Sequence, residues 1–307
     1  MTLLDHIAAT LAAGMNHVED LDARFLLPAL ALQLGSLVLR SLVWRNVLAA
    51  AYADRQVPVV SVAASYAAGS ALNAFTPARG GDAAKILLVR TCIAGSTLAT
   101  IAASFSVLLM LDGVISGTLV SGLWAFGVLP ALPTVPSVDA LWLVLAGLVP
   151  VGLLVAFVVR PGLVRSALDH VVQGLAIVRA PRRYLTTVVP LQLGAWLCRL
   201  GVVFLVLAAF HIHVGIETAM LLVVLNGLAT AVPIPGGGGT QQVLAAYVLH
   251  GVASVAQAIS FSVGLQLAVT IVNTAGGLVA MALLVRARHP LAAVRSSVAL
   301  ARSRRPA

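Results

Sequence analysis

Between residues 140 and 159 the chain carries no charged, amide or hydroxyl side chain. A run of that length is enough to cross the ~30 Å hydrocarbon layer of a bilayer as a helix. Backbone at that depth must satisfy its own polar groups, which leaves helices or closed barrels as building units. Comparable runs recur at 25–44, 93–115, 186–210 and 256–285, far longer than barrel strands. With 60% hydrophobic and 9% charged residues, the 307-residue chain lies well outside the range of water-soluble domains. We read it as an all-α polytopic membrane protein and a single integral membrane domain, in which any chemistry takes place in or at the bilayer.

The net charge of +9 could suggest nucleic acid, but the arginines lie between apolar runs and in the tail, with no interleaved aromatics. They read as topology determinants and anionic-lipid contacts, so nucleic acid is not an expected partner. Cys92 and Cys198 are too few for a disulfide framework, and the seven histidines do not cluster with acids or cysteines at ligand spacing. Neither a metal nor another cofactor is expected. No nucleophile elbow, nucleotide-binding loop or paired-carboxylate arrangement occurs, so the chain reads as a non-enzyme.

Three short matches suggest an internal duplication. LQLG at Leu32–Gly35, with Arg40 five residues on, recurs at Leu191–Gly194 with Arg199 five residues on. Gly69, Pro77, Gly80 and Gly81 fall opposite Gly227, Pro235, Gly238 and Gly239, and SFSV at Ser104–Val107 recurs at Ser260–Val263. The organisation expected is an interfacial amphipathic helix at 1–24, repeat one at 25–116, a linking span and basic loop at 117–184, repeat two at 185–285 and a basic tail at 286–307. By the positive-inside rule the basic loop and the C-terminus are cytoplasmic, and the uncharged 116–138 stretch is an outside loop. The linking span forces the two copies into opposite orientations, an inverted repeat of span, broken segment, span.

Each copy contains an apolar run interrupted by proline and glycine: NAFTPARGGDAAK from Asn73 to Lys85, and PIPGGGG from Pro233 to Gly239. Two such interruptions at matching places in inverted halves point to a transporter's binding site, with each segment a re-entrant hairpin. The competing reading is that both runs cross the membrane and their glycines serve close helix packing. Pro77, Gly80, Gly81, Pro233, Pro235, Gly236, Gly237 and Gly239 are the residues expected to shape the breaks.

A new helix after each break offers free amide donors to an anion such as phosphate. In copy one Arg79 adds a planar fork, and Lys85 shares a helix face with Asp82, which would orient the basic pair. The alternative is that Asp82 caps the helix while the basic residues snorkel to the interface. Asn73 and Asn226, on the runs ahead of the breaks, serve a headgroup or hold the hairpins together. Arg199 lies mid-span, where charge is strongly disfavoured, and is expected to face the protein interior. Arg40 either does the same or snorkels, Asp112 is expected to be a solvated helix end, and Gln242 a hydrogen-bonding partner of a neighbouring helix in preference to a ligand.

These residues carry a resemblance to the lysylphosphatidylglycerol synthase transmembrane regions, also called flippase-like membrane proteins. Arg40, Trp44 and Arg45 match one motif of that family. Asn73, Pro77, Arg79, Gly81, Asp82 and Lys85 match a second, Trp196 a third, and Pro233, Pro235, Gly236, Gly237 and Gly239 a fourth. Asp82 stands where the family usually has glutamate, and Gln242 replaces the glutamate of the last motif. The resemblance implies movement of a phosphate-bearing lipid between leaflets of a bacterial cytoplasmic membrane. The cargo would be an anionic phospholipid, a glycolipid or a lipid-linked sugar, with Arg79, Lys85, Arg199, Asp82 and Asn73 around its headgroup. The alternative function is that of a non-transporting partner of an envelope-biosynthesis enzyme.

Overall fold

The computed structural model describes residues 22–76, 80–127, 169, 171–229 and 239–303. The amphipathic helix expected over most of 1–24 and the span at 140–159 fall outside the described residues. So do Pro77 and Arg79 in the first break, and Pro233, Pro235, Gly236 and Gly237 in the second.

Among the described residues the chain is helical, with no strand. The helices are α1 (Ala23–Ala51), α2 (Val59–Asn73), α3 (Gly80–Cys92), α4 (Leu98–Ala125), α5 (Pro181–Thr187), α6 (Val189–Ala209), α7 (Ile216–Ala229), α8 (Thr240–Val248) and α9 (Val255–Ser303). Among the described residues four helical stretches are long and apolar enough to cross a membrane: Ala23–Ala51, Leu98–Ala125, Pro181–Ala209 and Val255–Ala282. The chain is thus an integral, multi-pass membrane protein. At ~1.5 Å per residue, α2 is only about 22 Å long and α7 about 21 Å, short of a full crossing.

Local chemistry sets the helix ends. Asp22 caps α1 by accepting from the Arg24 N–H at 3.1 Å. The Arg24 side chain bonds the same carboxylate and holds it below the ordinary aspartate range. Thr97 caps α4 through the Thr100 N–H at 3.2 Å. The sequence predicts a span at 93–115 followed by an outside loop, whereas α4 starts later and continues to Ala125. Gly117 and Gly122 do not end it, because the residues around them are uncharged and Thr118 returns its hydroxyl to the Val114 carbonyl at 2.8 Å.

Contacts fix the helix directions. Asp22 N donates to Ala209 O, Ser36 Oγ to Ala195 O and Asn46 Nδ2 to Thr187 O, so α1 and α6 run antiparallel along their whole length. The two LQLG segments cross reciprocally: a Cβ on Gly35 would lie 3.6 Å from Cys198 Sγ, and one on Gly194 would lie 3.4 Å from Leu39 Cδ1. Trp44 donating to Ser104 and Arg40 to Asp112 make α4 antiparallel to α1. Gln33 donating to Asn273, with Gly276 beside Leu37, makes α9 parallel to α1.

The segment between α1 and α4 begins and ends at one end of this bundle. There Tyr52 Oη accepts from Thr97 N, and Arg55 donates to Ala94 O. Arg45, Arg55 and Arg90 gather at that end, joined by Arg179, Arg182 and Arg183 ahead of α6. Two apolar cores result. One is built around Trp44, Tyr66, Ile101 and Phe105, the other around Val206, Phe210, Leu222 and Phe261.

Candidate functional site

Helices α2 and α3 pack backbone to backbone. A Cβ on Gly81 would strike Gly69 O and Asn73, and one on Gly69 would strike Gly81 O and the Lys85 side chain. No larger residue fits at either place without separating the helices, which is the physical requirement behind this pair of glycines. At the turn, Thr76 Oγ1 donates to Leu72 O at 2.8 Å and accepts from Gly81 N at 3.2 Å.

That close crossing turns the polar side chains of the break inward. Asn73 Nδ2 and Lys85 Nζ both donate to Asp82 Oδ1, at 2.9 and 2.8 Å. Lys85 is only 3% exposed. Its ammonium lies 4.3 Å from the centre of the Tyr66 ring and 5.6 Å from that of Phe105, favourable placements for a desolvated cation. Snorkelling of Lys85 does not describe this arrangement. Asp82 sits within the first turn of α3 with its carboxylate on Lys85.

The polar chain continues beyond the hairpin. Tyr66 Oη accepts from Arg40 Nε at 2.7 Å, and the Arg40 fork grips Asp112 through Nη1 at 3.3 Å and Nη2 at 2.5 Å. Asp112 Oδ1 also accepts from Gln192 Nε2 at 2.5 Å and Trp196 Nε1 at 2.8 Å. Arg199 Cζ stands 4.9 Å from the Trp196 ring centre, and a Cβ on Gly227 would come within 3.8 Å of its Nη2. One connected network therefore runs from Asn73 and Asp82 through Lys85, Tyr66, Arg40 and Asp112 to Trp196 and Arg199. It joins α3 and α2 to α1, α4 and α6.

One expectation is corrected here and one open choice is decided. Asp112 is not a solvated helix end and Arg40 does not snorkel: their side chains are 19% and 13% exposed and face each other. The cause is helix length, since α4 extends to Ala125 and α1 to Ala51, leaving both residues well inside their helices. Tyr66, Asp112 and Gln192 are members of the network absent from the sequence-based site. Tyr66 is the sole tyrosine of its apolar run, and Gln192 belongs to the repeated LQLG, so each offers a weak signal.

The second break is built differently. Gly239 adopts φ +82°, a conformation disfavoured for L side chains, and its N–H donates to Gln242 Oε1 at 2.7 Å. Gly239 occupies the capping position of α8. Gln242 Nε2 donates to Gln266 on α9 at 3.2 Å, the interhelical role expected of it. Asn226 lies on α7, partly buried. No group of three or more potential metal ligands occurs among the described residues.

The family profile described as Lysylphosphatidylglycerol synthase TM region matches residues 8–277. No curated protein and no solved structure matches the chain. The matched stretch takes in both breaks, every member of the buried network and all four candidate spans almost entire. The chain belongs to the family of lysylphosphatidylglycerol synthase TM regions.

Proposed function

We propose that this protein moves a phosphate-bearing lipid between the leaflets of a bacterial cytoplasmic membrane. The carrying observation is the α2–α3 hairpin. It starts and ends at the basic end of the bundle and delivers a lysine and an aspartate to a buried network that continues to Arg40 and Arg199. Ionisable groups at membrane depth are costly and are usually kept for a substrate path. Under the positive-inside rule the basic end is cytoplasmic, as is the C-terminus of α9, which runs parallel to α1. The hairpin is then re-entrant from the cytoplasmic side, and α7–α8, following the oppositely directed α6, is its counterpart from outside. The reciprocal crossing of the two LQLG segments supports an inverted duplication.

In the conformation described, Lys85 is closed off by Tyr66, Phe105 and Asp82. A headgroup phosphate would reach it by displacing the Asp82 carboxylate, and Arg79, three residues before Asp82 in the sequence, is the further cation expected to bind it. Capture is expected at this charged break and release toward the uncharged one. The test is dithionite quenching of headgroup-labelled phospholipid in proteoliposomes, comparing wild type with Arg79→Ala and Arg199→Ala. Losses of roughly tenfold or more in rate are expected; unchanged rates in both variants would overturn the headgroup assignment. Absence of flipping by the wild-type protein, with co-purification of an envelope enzyme, would instead favour a non-transporting partner.

A further inference from the structure

The Arg40–Asp112 centre has the composition of an anion receptor whose occupant is the chain's own carboxylate. Four donor contacts converge on Asp112: two from the Arg40 fork, one from Gln192 and one from Trp196. A planar guanidinium fork suits a phosphate as well as it suits a carboxylate. A second observation points to a ligand. Gln192 is 0% exposed, its Nε2 is committed to Asp112, and its Oε1 has no hydrogen-bond partner among the described residues. An orphaned acceptor at such depth is costly and calls for a donor that arrives.

The centre also lies between the other two cations. Lys85 packs on Tyr66 and Phe105, both of which touch the Trp44 ring, so it sits at the level of Trp44 on α1. Arg40 is four residues farther from the basic end. Arg199, beside the Cys198–Gly35 crossing, lies about five residues farther again. At ~1.5 Å per residue these are steps of roughly 6 Å and 8 Å. Tyr66 bridges the first step, with its ring toward Lys85 and its hydroxyl on Arg40. Trp196 bridges the second, with its N–H on Asp112 and its ring beneath Arg199.

We infer that Arg40 is the middle station of a three-cation relay for a phosphodiester headgroup. Asp112 occupies the station at rest, and Gln192 Oε1 receives a hydroxyl or ammonium hydrogen of the headgroup once Asp112 is displaced. This rests on the transport reading and adds to it a site, a resident competitor and a ligand class: a phosphodiester bearing a nearby donor group.

The experiment measures binding of short-chain dihexanoyl-phosphatidylglycerol to the purified full chain by thermal stabilisation, with glycerophosphoglycerol and inorganic phosphate as separate arms. Asp112→Asn keeps an acceptor for Gln192 and Trp196 and removes the competing charge. It is expected to tighten phosphatidylglycerol binding at least about fivefold, and adding Arg40→Gln is expected to abolish the gain. Trp196→Phe leaves both charges in place and takes away one donor holding Asp112, so it shifts affinity the same way by less and serves where Asp112→Asn does not fold. Equal affinities in wild type, Asp112→Asn and Trp196→Phe would overturn the relay station, as would a gain that survives Arg40→Gln. A gain confined to inorganic phosphate would overturn the headgroup class. If wild type does not flip lipid yet the Arg40-dependent gain persists, the transport reading fails and the site stands. Flipping by wild type without any such gain leaves transport standing and overturns the site.

Discussion

The two breaks occupy equivalent places in the chain and solve different problems. Aligned through Gly69 with Gly227 and Gly81 with Gly239, Tyr66 falls opposite Val224, Asp82 opposite Thr240 and Lys85 opposite Val243. The first hairpin encloses an ion pair and an aromatic ring, while α7 buries Leu221, Leu222, Val223 and Val224. Lys85 is shut inside, whereas Val243 is 68% exposed. One local plan, two short helices parted by a stretch rich in proline and glycine, thus serves a charged centre in one half and an apolar packing surface in the other. The charge therefore does not follow from the plan, since the same backbone device works without it.

The sharpest way to break this contrast is to remove the charge from one side. Lys85→Met takes the buried ammonium from the part-buried Asp82 carboxylate, and breaking such a pair costs up to about 3 kcal/mol, the lower end for fully buried pairs. Val243→Met at the matching place should change stability by less than about 0.5 kcal/mol. The double variant Lys85→Met with Asp82→Asn should recover part of the loss, because the carboxylate's charge is removed together with the ammonium's. Thermal denaturation of the purified proteins in one detergent reads all three. Equal losses at Lys85 and Val243 would show that the buried pair has no energetic role.

The glycines separate the hairpins next. Gly81→Ala drives a Cβ into the Gly69 carbonyl and Asn73, atoms that cannot give way without parting α2 from α3. A cost of about 3 kcal/mol is expected, the upper end for overpacking. At Gly239 a Cβ meets none of the described residues within 4 Å, and the penalty expected is that of the φ of +82°, about 1–2 kcal/mol. Space dictates the first glycine and backbone conformation the second, although the sequence motif looks alike at both. Reversal of the order of the two losses would refute that division.

How legible these features are in the sequence depends on their range. The breaks are readable because proline and glycine act through their own backbones, within a few residues. Lys85 and Asp82 share a helix, so their pairing follows from spacing. Arg40 and Asp112 mislead because their partners are distant in sequence: no local spacing links residue 40 to residue 112. Ending α4 near residue 115 compounds the difficulty, since it sets Asp112 at an edge instead of deep within a helix. The directions of α1, α4, α6 and α9 become certain only from contacts such as Ser36 with Ala195 and Gln33 with Asn273. Asn73 lies between these cases: its place ahead of the break is evident from the sequence, its bond to Asp82 is not.

The smallest effect tests whether the second hairpin must stay uncharged. Gln242 accepts from the Gly239 N–H and donates to Gln266, so Gln242→Leu removes two hydrogen bonds in a partly buried place, a loss of about 1 kcal/mol. Gln242→Glu preserves the acceptor for Gly239 but replaces the donor to Gln266 with a carboxylate oxygen. The Gln266 amide can turn its own N–H toward that oxygen, so stability should fall no further than in the leucine variant. Transport responds to something else. If release depends on an outer hairpin without charge, Gln242→Glu slows flipping of an anionic lipid by more than Gln242→Leu, despite the gentler change in structure. The order of the two flipping rates, read at matched stability, decides whether the asymmetry of the hairpins is part of the mechanism or only a difference in how two halves are packed.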